Sequence, residues 1–235
     1  MKPITKSILY LTIFCIAMGY MESSVVVYLR KIYYPDGFKF PLIPVSPDIA
    51  ITEFWREAAT IIMLIGVGIM AGKNTAQRFA FFIYSFAIWD IFYYVFLKML
   101  VNWPDSLFTW DILFLIPIPW VGPVIAPCIV SLTMILLTLI ILYHQEKDNN
   151  IHINFIDWMI LIFGSITVIF SFMWDYILYL SVNRTHNAVW SLSSKNKMFE
   201  EVSNYIPRYF NWNLFISGEA LLLIAILLIV RRWRK

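Results

Sequence analysis

Six apolar stretches divide this 235-residue chain, at approximately 8–29, 49–72, 79–101, 118–143, 155–182 and 213–230. About 20 apolar residues in a helix cover the hydrocarbon core of a bilayer. Backbone polar groups in lipid must be satisfied internally, so separate runs of this length cross as helices. The pattern predicts an all-α polytopic membrane protein, a single transmembrane domain built as a six-helix bundle. Composition agrees: 60% of residues are hydrophobic and 14% charged, against about 45–50% and about 25% in soluble domains.

The first stretch resembles a signal peptide only in part. Lys2 and Lys6 precede it, and Ala17-Met18-Gly19 has the size pattern of a cleavage site. The apolar run continues through Val25-Val26-Val27, so an uncleaved first span is expected. Flanking basic residues orient such a chain. Lys2, Lys6, Lys73, Arg78, Lys147 and the terminal Arg231-Arg232-Trp233-Arg234-Lys235 fall on one side of a six-span arrangement. Both termini are therefore expected in the cytoplasm, with the protein in the cell membrane (plasma or inner). Arg30, Lys31, Lys98 and Arg184 lie on the other side and dilute the bias.

Two features of the connecting segments stand out. The stretch from Tyr33 to Pro47 holds Pro35, Pro41, Pro44 and Pro47; proline fixes φ and removes donors, so an extended strap is expected, with Phe38 and Phe40 at the interface. Between the third and fourth spans, Trp110-Asp111-Ile112-Leu113-Phe114 leads into Pro117, Pro119 and Pro123. That piece is too short to span and too rich in proline for a regular helix. A short re-entrant or interfacial segment before helix four, bordering a cavity, is the expectation, because irregular backbone at membrane depth needs protein or a wet cavity around it.

Carboxylates inside the spans carry the functional signal. Glu22, Glu57, Asp90, Asp175 and Glu219 all lie within apolar stretches, where a charge costs a few kcal/mol and acids are usually functional. With both termini inside, they gather in the outer half. Arg56 is the natural partner for a buried acid. Trp89-Asp90-x-x-x-Tyr94 and Trp174-Asp175-x-x-x-Tyr179 share a pattern in which the tyrosine falls on the acid's face of the helix. The candidate binding residues are thus Asp90, Glu57, Arg56, Glu22, Asp175, Glu219, Tyr94, Tyr179, Trp89 and Trp174, centred on Asp90, Glu57 and Arg56. Gly68-Ile69-Met70-Ala71-Gly72 predicts close helix packing and nothing more specific.

No haem, iron–sulfur or nucleotide signature is present, and Cys15 and Cys128 lie in apolar runs without metal-ligand spacing. His144, His152 and His186 fall outside the spans. No residue set is assigned to a metal, although carboxylates suit a hard divalent ion. Basic residues form no nucleic-acid footprint. The function expected is transport-type handling of a proton, cation or small polar substrate in an outward-facing cavity. The alternatives are a non-catalytic subunit or assembly partner of a larger membrane complex, and an embedded enzyme acting on a lipid or lipid-linked substrate. Besides the bilayer, a homo-oligomer or larger complex is the partner expected, since six short-looped spans are small for a lone transporter.

Overall fold

The computed structural model describes residues 3–147, 152–183 and 204–233. Its helices are α1 (Pro3–Tyr33), α2 (Pro47–Ala71), α3 (Thr75–Val101), α4 (Ile125–Lys147), α5 (Phe155–Asn183) and α6 (Trp212–Trp233), with strands β1 (Trp110–Phe114) and β2 (Trp120–Pro123) between α3 and α4. All six helices are long and apolar enough to cross a membrane.

Local chemistry explains the boundaries. Pro47 opens α2 with Asp48 in its first turn, where a fixed φ is suitable and the dipole favours an acid. Asn74 caps α3 by accepting from the Gln77 N–H at 2.9 Å. The helix stops at Asn102, which takes the left-handed conformation at φ 52°, a geometry that asparagine tolerates better than most residues.

The fourth helix begins at Ile125 rather than near 118. Residues 120–123 instead pair with 110–114 as an antiparallel hairpin, Asp111 opposite Gly122 and Ile112 opposite Val121. Pro117 and Pro119 sit in the connection, where no ladder hydrogen bond is demanded of them. Pro127 is accommodated in the first turn of α4, whose N–H groups need no helical partner. The irregular segment expected before helix four is therefore a β-hairpin.

Helix α3 is the hub of the first half, touching α1 and α2, and it also reaches α4. Helix α6 packs between α4 and α5, and strand β2 rests on α5. A Cβ on Gly68 would lie 2.8 Å from the Arg78 carbonyl oxygen and 2.9 Å from Phe82 Cβ, so the glycine-spaced stretch lets α2 meet α3 closely. Gly122 plays the same part at the hairpin, where a Cβ would come within 2.8 Å of the Phe172 ring. Ile62, Met70 and Phe155 stand exposed on the outer surface, the disposition of helices that face lipid.

Candidate functional site

The strap of residues 34–46 folds back over the ends of α1 and α2. Its Phe38, expected at the interface, stands edge-on to Trp103 at 6.1 Å between ring centroids. Beneath it lies a cavity of about 490 Å³, bounded by α1, α2, α3, the hairpin and the strap, with Tyr176 reaching in from α5.

The cavity's polar groups fall in two tiers. Glu22 and Arg30 both belong to α1, eight residues apart, which separates them by roughly 12 Å along the axis. In the deep tier, Arg56 donates from Nη1 to Glu22 at 2.5 Å and from Nε to Glu53 at 2.7 Å. Glu57, next on the same helix, accepts from the Leu115 backbone N–H at 2.9 Å, so α2 is tied to the tip of the hairpin. Asp90 is buried and accepts from Ser131 Oγ of α4 at 2.8 Å.

The shallow tier centres on Arg30. Its guanidinium carbon lies 3.8 Å from the Trp103 ring centroid and 4.5 Å from that of Phe38, and one Nη is 3.4 Å from Asp111. Cations over aromatic faces gain from the ring quadrupole, more so when desolvated. Burial pushes the Asp111 carboxyl up to about 6, against the opposing effects of Arg30, the Ile112 N–H and the nearby Tyr94 and Tyr93 phenols. Tyr94 Oη, Trp89 Nε1, Arg30 Nη1 and Asp111 Oδ2 are buried without a hydrogen-bond partner among the described residues. All four side chains line the cavity. Such orphaned polar atoms are costly unless something satisfies them.

Of the residues singled out in the sequence, Glu22, Arg56, Glu57, Trp89, Asp90 and Tyr94 line this cavity. The other four lie elsewhere. Asp175 accepts from the Tyr205 hydroxyl at 2.6 Å and from the Arg208 N–H at 3.0 Å. Burial and that carboxylate push the Tyr205 phenol far above its usual range. Tyr179 stacks with Tyr176, and Trp174 stands edge-on to Phe170. Glu219 accepts from Thr133 Oγ1 of α4 at 2.7 Å. The shared Trp-Asp-x-x-x-Tyr spacing thus yields no tyrosine-to-aspartate bond within either helix, because each acid finds a donor on another element.

Sequence reasoning missed Arg30, Asp111 and Ser131. Arg30 resembled a basic flank, and Asp111 lay outside every span. The available signal was alternation: Trp110 and Ile112 share one face of a strand, which puts Asp111 on the other. His144 donates from Nδ1 to the Ile140 carbonyl, His152 is exposed, and His186 and Arg184 lie outside the described residues. Cys15 and Cys128 are free thiols. Among the described residues, no group of three His, Cys, Asp or Glu side chains is placed to hold a metal ion. No protein-family model, curated protein or solved structure matches the chain.

Proposed function

We propose that this multi-pass protein takes a small polar or cationic substrate into the strap-end cavity and moves it, or a proton in exchange, across the membrane. The carrying observation is convergence: Glu22, Glu53, Glu57, Asp90 and Asp111 surround one cavity, with Arg30 and Arg56 the only cations in its lining among the described residues. Ionisable groups in membrane helices are expensive and concentrate on substrate and proton pathways. About 490 Å³ falls within the range of small-molecule sites.

The cavity is assigned to the outer side, with the hairpin as an interfacial element and both termini in the cytoplasm of a cell-membrane protein. Arg30 is held by Asp111, Trp103 and Phe38, and Lys98 donates to the Pro104 carbonyl at 3.0 Å. Lys73 and Arg78 flank the short α2–α3 turn at the opposite end, where Lys147, Arg231 and Arg232 also lie. Basic residues flanking short connections support the orientation, and a C-terminal reporter active only in the cytoplasm would test it.

Transport is tested in proteoliposomes loaded with a pH-sensitive dye and exposed to sodium, potassium or methylammonium chloride. At least one salt should change the internal pH, and Asp90→Asn and Glu57→Gln should abolish the change. Identical traces from empty and protein-bearing vesicles would sink the reading. A lipid-acting enzyme is the second reading, favoured by the apolar wall of Phe54, Leu113, Phe114 and Ile118. Its mark would be a chemically altered lipid after incubation with wild-type protein and none with Asp90→Asn.

A further inference from the structure

We infer that the strap-end cavity recognises an organic cation, an amine or quaternary ammonium carried on an apolar body. This rests on the reading of that cavity as a substrate site and names the substrate's class.

Charge comes first. Among the described residues five carboxylates face two guanidinium groups around the cavity, an excess of three negative charges when all are ionised. Both arginines are engaged: Arg56 bridges Glu22 and Glu53, and Arg30 pairs with Asp111. Among the described residues the hydrogen-bond donors to Glu57 and Asp90 are neutral, the Leu115 N–H and the Ser131 hydroxyl, and Arg56 beside Glu57 is already shared by two other acids. A neutral hydrogen bond leaves a carboxylate's charge uncompensated in a poorly hydrated place, where a cation is the complementary partner.

Size and surface then separate an organic cation from a bare ion. Metal cations of the hard class take six or more oxygens at close range, whereas no three acid side chains converge in that way among the described residues. The volume of about 490 Å³ is far larger than one ion requires. The walls are aromatic near the acids, with Trp55, Trp89 and Tyr93 lining the cavity, and aromatic faces with carboxylates form the usual cage for quaternary ammonium groups.

The molecule already contains an example of this recognition. Arg30 is a cation lying over Trp103 and Phe38 and beside Asp111 at the shallow end. Beside it the Tyr94 phenol faces the Asp111 carboxyl, and both side chains are buried, Asp111 2% and Tyr94 6% exposed. The deep carboxylates hold the charge, and the hairpin's apolar side accommodates the body.

The test compares charge at constant shape. Radiolabelled phenyltrimethylammonium is titrated against the full-length protein in dodecyl maltoside, whose headgroup is neutral. It is displaced by itself, by tert-butylbenzene, which replaces nitrogen with carbon, and by benzenesulfonate, at matched free concentrations. Saturable binding is expected, with both competitors weaker than the cation by about tenfold or more. Asp90→Asn and Glu57→Gln should each weaken binding by about tenfold, and Lys98→Gln, outside the lining, should leave it unchanged. Displacement by tert-butylbenzene as strong as by the cation, tighter benzenesulfonate binding, or undiminished affinity in both acid variants overturns the inference. The wild-type comparison needs no variant, so poor folding of either one does not shield it. Saturable, charge-selective binding without flux supports the inference while sinking transport; proton-coupled flux without such binding does the reverse.

Discussion

The two halves of this molecule place their buried acids differently. In α4–α6 three acids lie apart, each bonded to a different element: Glu219 to Thr133, Asp175 to Tyr205, and Asp157, fully buried at the start of α5, to Arg232 near the end of α6. In α1–α3 and the hairpin, five acids and two arginines surround one cavity. Among the described residues Glu57 and Asp90 have neutral donors only, and so do Glu219 and Asp175. What differs is convergence: an acid bonded apart from the others holds helices together, whereas acids gathered around one cavity add their charges where a ligand can meet them.

The largest expected contrast is between the two arginines. Arg56→Ala strands Glu22 and Glu53 and should cost about 3 kcal/mol, as breaking a buried pair does. Arg232→Ala strands one acid rather than two; Arg232 itself is 36% exposed, and the fully buried Asp157 keeps the Asn154 N–H, so a smaller loss of about 2 kcal/mol is expected. Thermal unfolding in detergent reads both, and equal losses would break the distinction between the halves. Next comes the seam between them. Gly122→Ala drives a methyl into Phe172 and should destabilise by about 2 kcal/mol, as overpacking does; an unchanged midpoint would show that the hairpin is not clamped on α5.

Function should separate the halves more selectively than stability. Asp90→Asn is expected to lower proton-coupled flux at least about tenfold, equivalent to about 1.4 kcal/mol, while Glu219→Gln leaves flux near wild type. Comparable flux losses would spread the site across both halves. The last contrast is one of pH dependence and concerns Asp111. Its carboxyl releases a proton near 6 in the folded chain and near 3.8 when unfolded, so the folded state binds more protons between those values. Its contribution to stability is present below about 4 and lost as pH rises through about 6. Asp111→Asn should flatten that slope in the unfolding midpoint, and an unchanged slope would place the titration elsewhere.

Much of the architecture was legible because hydropathy records a solvent. Each helix had to be long and apolar, and the cores of all six lie within the predicted stretches. The hairpin was less legible. Pro117 and Pro119 announce a break in helix, but proline does not say what replaces it. The pairing of Asp111 with Gly122 depends on Gly122 fitting beneath Phe172, a contact 50 residues away in the chain. Among the candidate residues, six share the cavity and four do not, although the five acids were all chosen for lying within a span. Burial in a span identifies an unusual acid, but it cannot say which way the acid points around the helix axis.

The sequence by itself determined that the chain has six apolar helices, where its acids fall along them, and that a proline-rich strap and an irregular segment join them at one end. These follow from local quantities: run length, residue type and the backbone demands of proline. Only the tertiary structure decided which acids meet. Helix α3 lies against α1, α2 and α4, so Asp90 receives Ser131 and shares a cavity with Glu22 and Glu57. Helix α6 lies against α4 and α5, so Glu219 finds Thr133 and Asp157 finds Arg232. Helix rotation and neighbour choice come from packing over the whole bundle. That packing, more than the number of acids, turns one group of them into a cavity and the other into separate fasteners.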